Sequence, residues 1–298
     1  MSTALSLIET VLREGFIYSL MAMGVLITYK ILDFPDLSVD GTFPLGACVT
    51  AALIAAGCNP WLACLIAALA GAAMGCVTGI LHVRLGITDL LSGILVMTAA
   101  WSVNLIITGG KAILQFFNLP TIFTAGPATL LTGPLEPHRQ LIVAFLIAVI
   151  LKLLLDGFLK TKSGLLLRAG GDNSRFVTSL GRNPGSVKIL GLAIGNACTA
   201  LSGSVLAQVP QNADINSGKG MVVMALASVI IGTGVFGRLS FLKATTMAML
   251  GAILYKACLQ VALQLGLPSS YLKLLMAVLL TLAIVSQKLG KKGEPEHV

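Results

Sequence analysis

Asp36-Leu37-Ser38-Val39-Asp40-Gly41-Thr42-Phe43-Pro44-Leu45-Gly46 interrupts an almost unbroken apolar sequence. Phe16 to Leu32 precedes it and Ala47 to Gly57 follows. Backbone N–H and C=O groups facing lipid have no water to bond, so a lipid-exposed break of this composition is excluded. The break must lie at a membrane surface or inside a protein-lined cavity. A second break, Asp214-Ile215-Asn216-Ser217-Gly218-Lys219-Gly220, precedes the apolar run Met221 to Ile231. Paired short interrupted segments in the two halves of a membrane protein point to a transport pathway.

Composition supports this reading. The 298 residues are 56% hydrophobic and 11% charged, with mean hydropathy +0.93. A soluble domain carries roughly a quarter charged residues, so the bilayer is this chain's solvent. Net charge +8 would suggest nucleic acid for a soluble protein. Here it reflects Lys and Arg gathered in cytoplasmic loops, and no nucleic-acid partner is expected. The six cysteines lie in or beside apolar runs without C-x-x-C spacing, and read as small hydrophobes. The three histidines lack ligand spacing, so no metal or cofactor is expected. No cationic region precedes the first apolar run, and no cleavable signal peptide is expected.

The expected fold is an all-α polytopic membrane protein with about nine transmembrane segments: 15–34, 42–57, 60–82, 87–108, 139–158, 187–209, 220–236, 240–265 and 270–287. Residues 1–14 read as interfacial, 109–138 as an external loop, 159–186 as a cytoplasmic segment and 288–298 as a cytoplasmic tail. With the C-terminus cytoplasmic, the inside collects Lys30, Arg84, Lys160, Lys162, Arg168, Arg175, Arg182, Lys188, Arg238, Lys243, Lys288, Lys291 and Lys292. The outside keeps Arg13, Lys111, Arg139, Lys219 and Lys273. The reverse topology would invert this bias. Segments over 15–108 and 187–287 then form two inverted four-segment halves flanking a central helix at 139–158. In this arrangement the Asp36 break lies toward the cytoplasm and the Asp214 break toward the outside.

Two stripes of small residues, Gly71/Gly75/Gly79 and Gly191/Gly195/Thr199/Gly203, recur at four-residue spacing. They fit either static close packing or a sliding surface. The loop Gly109 to Arg139 carries Pro120, Pro127, Pro134 and Pro137 and the apolar patch Ile113-Leu114-Gln115-Phe116-Phe117. It reads as a docking surface, an external gate or an ordinary packed loop. Lys256, Gln260 and Gln264 share one helical face. About nine residues, roughly 13 Å of rise, separate Lys256 from the outer end of its segment, beyond the reach of snorkelling. Lys256 therefore faces a hydrated cavity or pairs with a carboxylate, with Asp214 the candidate. Asp36, Ser38, Asp40, Asp214, Asn216, Lys256 and Gln260 are the candidate pathway residues. The three aspartates sit at predicted segment ends, where helix capping or a hydrated loop is the competing role.

The stretch 160–188 is polar and ordered in its punctuation. Asp172, Asn173 or Ser174 can cap a short helix running to Leu180, with Gly181 as its stop, and another helix begins after Pro184. Such a helix between glycine-rich turns can dock into a cleft on another protein.

Together these two landmarks resemble the permease subunits of ATP-binding-cassette importers, in the group that includes ribose and branched-chain amino acid permeases. Asp36, Leu37, Ser38, Val39 and Gly41 match the ribose-type Asp-Leu-Ser-Val-Gly break, with Asp40 extra. Thr161, Gly164, Arg168, Ala169, Gly171 and Asn173, then Gly181, Asn183 and Lys188, match the cytoplasmic segment T-x-x-G-x-x-x-R-A-x-G-x-N with its later G-x-N and basic residue. Gly232-Thr-Gly-Val-Phe-Gly237 is similar to the turn after the second break. The group usually has alanines and Ile where this chain has Phe176, Val177 and Arg182. The resemblance spans about Ala22 to Ser286. It implies two permease chains forming a pathway, cytoplasmic ATPases on the coupling segment and an extracytoplasmic binding protein delivering solute. Candidate coupling residues are Gly164, Arg168, Gly171, Asp172, Asn173, Arg175, Gly181, Arg182 and Asn183. The chain lacks G-x-x-x-x-G-K-[ST], so ATP hydrolysis belongs to a partner. The departures look more like the amino-acid branch, with a related group linked to aromatic amino acid uptake. The alternative is a stand-alone ion-coupled secondary transporter, which needs an ion site of its own. An intramembrane enzyme would need a metal or nucleophile constellation, and none is legible.

Overall fold

The computed structural model describes residues 3–130, 136–237, 239, 241–266, 268 and 271–291. Arg238, Lys292 and the rest of the tail to residue 298 lie outside the described residues, as do the side chains of Asp172, Lys273, Lys288 and Lys291. The helices are α1 (Thr3–Val25), α2 (Val39–Ala55), α3 (Pro60–Val83), α4 (Asp89–Ile107), α5 (Arg139–Phe158), α6 (Lys162–Asp172), α7 (Ser174–Ser179), α8 (Pro184–Ala207), α9 (Met221–Phe236), α10 (Ala244–Gln264) and α11 (Leu272–Lys291). Seven described stretches are long and apolar enough to cross a bilayer: Leu5–Ile31, α3, α4, α5, α8, Ile215–Phe236 and α10. The chain is a polytopic helical membrane protein. α2, with 17 residues, and α9, with 16, fall short of the about 20 that a full span requires.

Local sequence explains the helix ends. Asn59 and Asn183 each accept a backbone N–H two residues on, from Trp61 at 2.9 Å and Gly185 at 2.8 Å, and a proline follows each cap. That is the favoured start of a helix, since proline at the first position loses no hydrogen bond. At the other end of α1 the helix widens into a π-turn, Leu26–Ile31. Leu32 N donates to Ile27 O at 3.0 Å, five residues back. Asp33, at φ 52, then ends the element. Residues 3–14, expected as a separate interfacial stretch, continue α1 without interruption. The periodic Leu5, Ile8 and Leu12 suffice to extend the helix once Glu14 finds a partner, described below.

α8 is the central post of the fold. The α3 stripe of Gly71, Gly75 and Gly79 lies on the α8 backbone at Asn196, Leu192 and Ile189. Gly24 of α1 abuts the Gly195 carbonyl, and Gly46 of α2 abuts the Ala200 carbonyl. Both stripes therefore serve close packing. α5, expected as the central helix, instead lies on the outside of α1, where Phe16 and Phe145 meet edge-on with centroids 5.1 Å apart. Its Leu146, Ile150, Leu153 and Leu154 stay exposed. α5 buries only a narrow face, with Ala144 and Ala148 at four-residue spacing, and leaves the rest of its apolar surface outward.

The long loop after α4 folds back as a packed cover. Strand β1 (Ile113–Gln115) pairs antiparallel with β2 (Asn212–Asp214), placing Ile113 opposite Asp214. Phe116, Ile122 and Phe123 are buried, and Trp61 Nε1 donates to Ala125 O at 3.2 Å. Ile113 and Phe117 of the apolar patch remain exposed.

Candidate translocation and coupling site

The first break is shorter than its composition suggested. α2 begins at Val39, so Asp40 to Gly46 are helical and only Leu32 to Ser38 is non-helical between the π-turn and α2. Asp36 Oδ1 accepts from Ser38 N at 2.8 Å, and Asp36 Oδ2 accepts from Asn196 Nδ2 at 2.7 Å. Ser38 Oγ donates to Asn196 Oδ1 at 3.2 Å, closing a three-residue ring of polar groups. Asp36, Ser38 and Asn196 are all buried. Asn196 lies midway along α8, against Gly71 midway along α3. The break expected toward the cytoplasm therefore sits at the middle of the two most closely packed long helices. It is a protein-lined interior, the second of the two places that backbone polarity allowed.

The second correction concerns the relation of the two breaks, which the inverted layout put at opposite ends. They meet. Asp40 Oδ2 accepts from Gly220 N at 2.9 Å, and Asp40 Oδ1 accepts from Val222 N at 2.8 Å. A carboxylate near the start of α2 thus caps α9, answering both its free donors and its positive end. Pro44, inside α2, has no N–H to donate to the Asp40 carbonyl. The 3-10 turn Ile215–Gly218 packs on that carbonyl and on the Pro44 ring, and a Cβ at Gly218 would collide with both. Asp214 caps the same turn, accepting from Asn216 N at 2.8 Å, while the Asn216 side chain is exposed. The three candidate pathway aspartates, Asp36, Asp40 and Asp214, are all engaged at helix or turn starts.

Lys256 is paired, but with Glu14 and not with Asp214. Its Nζ lies 2.6 Å from Glu14 Oε2 and 4.8 Å from the Tyr18 ring centroid. The pair joins α10 to α1, where Gly15 admits Ile253 against the α1 backbone. Glu14 was hidden because residues 1–14 read as interfacial. Gln260, one turn on, is half-buried. The structure brings Asp36, Ser38, Asp40, Asp214 and Asn216 into one region and leaves Lys256 and Gln260 apart from it, on the α1–α10 seam.

Residues 159–186 contain two helices where one was expected. α6 is an addition: Thr161 Oγ1 accepts from Gly164 N at 3.3 Å and starts it. The glycines at 164, 170 and 171 argued against a helix by propensity, yet two of them permit contact. A Cβ at Gly164 would strike the Phe158 carbonyl, and one at Gly171 would strike the Ile31 carbonyl. The α6 carboxyl end thus seats on the last turn of the π-helix. Asn173, not Asp172, caps α7, accepting from Arg175 N at 3.0 Å and Phe176 N at 3.3 Å. Gly181, at φ +70, turns the chain toward α8 as expected. Arg168, Arg175 and Arg182 are exposed on this surface, and Asn183 caps α8.

Sequence reasoning missed Asn196 and Asp156. Asp156 is buried near the end of α5 and accepts from Thr245 Oγ1 at 2.5 Å and Lys243 Nζ at 3.0 Å. A lone carboxylate inside an apolar segment is itself the signal that could have found it. Asn196 gave a similar signal, as an amide embedded in the small-residue stripe.

The family described as branched-chain amino acid transport system permease components matches residues 7–285. A tyrosine transport system permease protein of Clostridioides difficile is 43% identical over 92% of this chain and 88% of its own length. A galactofuranose transporter permease protein of Escherichia coli is 28% identical over 85% of this chain and 71% of its own. A fructose import permease protein of Bifidobacterium longum is 27% identical over 75% of this chain and 61% of its own. No solved structure matches.

Proposed function

This chain belongs to the family of branched-chain amino acid transport permease components, and from that premise we propose how its parts divide the labour of import. It is the membrane permease subunit of an ATP-binding-cassette importer and not an enzyme; ATP hydrolysis resides on a separate subunit. Two permease chains form the pathway in the inner membrane, an extracytoplasmic binding protein delivers the solute, and P-loop ATPases engage α6 and α7. The N-terminus lies outside and the C-terminus in the cytoplasm, with nine crossings in two inverted halves that precede and follow α5 in the sequence and whose breaks meet at the starts of α2 and α9. The solute is a small amino acid-class molecule, and the 43% identity to a tyrosine permease favours an aromatic one.

The observation that carries the coupling role is the seat of Gly171 on Ile31. An ATPase moving α6 pushes directly on the residue where α1 ends. Leu32, next in the chain, touches Gly191 of α8, and four residues on comes the Asp36–Ser38–Asn196 ring. Only residues 32–35 separate this seat from the interior break, so displacement at the docking surface reaches it over few residues. Asp36, Ser38, Asp40, Asp214 and Asn216 shape the pathway wall as caps that hold the starts of α2 and α9 in place. Lys256 and Gln260 stand apart from that wall, and Lys256 instead joins α10 to α1 through Glu14.

The test is uptake of labelled tyrosine by vesicles holding the chain with its ATPase and binding protein. ATP-dependent accumulation that unlabelled aromatic amino acids compete away supports the reading. Accumulation driven by an ion gradient without ATP overturns it, and competition by sugars alone overturns the substrate class.

A further inference from the structure

A cavity of about 540 Å³ opens where α5 ends and α10 begins, on the same face of the molecule as α6. Four separate elements converge on it. The π-turn of α1 brings Lys30, the end of α5 brings Lys160, α6 brings Arg168, and the residue before α10 brings Lys243. The carboxylate in its wall, Asp156, is already met by Lys152 at 3.4 Å, Lys243 at 3.0 Å and Thr245 at 2.5 Å. The wall therefore carries a surplus of positive charge. Between the cations it is apolar, through Leu26 and Leu159. One turn back on α5, Leu153 and Leu154 are exposed hydrocarbon-facing surface.

The π-turn contributes both charge and hydrocarbon to this wall. Leu26 and Lys30, four residues apart on this turn, both face the cavity with Ile31, and single π-turns recur at functional positions. Loop lysines scattered for topology need no concavity, no second sign of apolar lining and no contribution from four elements. Basic pockets between helices at a membrane boundary suit phosphate-bearing headgroups, which offer charge to the cations and acyl chains to the adjoining lipid-facing surface.

We propose that this cavity binds a phosphate-bearing anion, held by Lys30, Lys160, Arg168 and Lys243, with an acidic phospholipid headgroup as the source its apolar wall favours. A bound headgroup would span α6, α5 and α10, and so tie the coupling segment to the membrane body. The inference needs only that the chain is embedded in a membrane and stands independently of the solute and of the ATPase.

The experiment uses the purified full chain in nanodiscs of phosphatidylcholine mixed with phosphatidylglycerol, with retained lipid read by native mass spectrometry. The unmodified chain should retain phosphatidylglycerol over phosphatidylcholine at least tenfold. Lys30→Gln with Lys160→Gln should abolish that preference, and Lys30→Arg with Lys160→Arg should keep it. Lys111→Gln, which removes one charge from the distant β1 loop, should leave it unchanged. Competition by millimolar inorganic phosphate would assign the site to free phosphate, and its absence to the lipid. Equal loss in the Lys111 variant, or full retention in the double glutamine variant, overturns the proposal. A folding defect is separated by the arginine pair, which preserves charge at the same positions.

Discussion

Replacing Asp40 with alanine tests the joint between α2 and α9 directly. The substitution removes both acceptors of α9's first turn, leaving the N–H groups of Gly220 and Val222 without their partners at 2.9 and 2.8 Å. Val222 is buried, so water does not replace its partner, while Gly220 is only half-buried and recovers part of the loss. An unsatisfied buried donor costs about 1–3 kcal/mol, and loss of a helix cap costs about 0.5–2 kcal/mol. Together these give about 1.5–5 kcal/mol for Asp40→Ala. At about 2 °C per kcal/mol for a chain of this size, the melting temperature falls by about 3–10 °C. Asp40→Asn keeps one acceptor oxygen and should fall roughly half as far. The assay is thermal unfolding of the purified chain in one detergent, followed by tryptophan fluorescence. An Asp40→Ala chain melting within about 1 °C of the unmodified one would refute the claim that this carboxylate holds the two breaks together.

Three further outcomes follow from the same geometry. Lys256→Met leaves Glu14 without its partner and should lower stability by about 1–3 kcal/mol, and exchanging the two residues, Glu14→Lys with Lys256→Glu, should recover at least half; no recovery would mean that the two side chains do not act as a pair. Gly171→Ala forces a methyl onto the Ile31 carbonyl and should cut ATP-driven uptake at least tenfold while the chain still inserts; wild-type uptake would show that the seat transmits nothing. Single cysteines replacing Arg175 and Lys111, in a background freed of the native cysteines, should react with an impermeant thiol reagent from opposite sides of the membrane, and labelling from one side would sink the proposed orientation.

The helices of this fold were legible because hydrocarbon imposes long apolar runs, and the stripe on α3 announced its close neighbour. What stayed hidden was non-local. Pro44 and two glycines made 36–46 look irregular, whereas helical hydrogen bonds absorb all but its first few residues. Local spacing cannot show that Asp40 caps a helix 180 residues later, because the partner is a bare backbone N–H with no sequence mark. Lys256 advertised a need for a carboxylate, but choosing Glu14 over Asp214 required knowing that α1 begins at residue 3. α6 was missed because glycine content was weighed as helix-breaking, when at Gly171 it marks a contact too close for any side chain.

The bare backbone surfaces around α8 set a limit on how this molecule can move. Gly24, Gly46, Gly71, Gly75 and Gly203 bring main chain against main chain, with no flexible side chain between to deform as one helix slides past another. α8 belongs by sequence to the later half of the chain, and α1, α2 and α3 to the earlier half, so the halves are welded along this post rather than hinged. A rocking of one half against the other inside a single subunit would have to prise these surfaces apart. A rearrangement confined to elements outside this seam would leave it intact, and α5, with Leu146, Ile150, Leu153 and Leu154 exposed, is one such element.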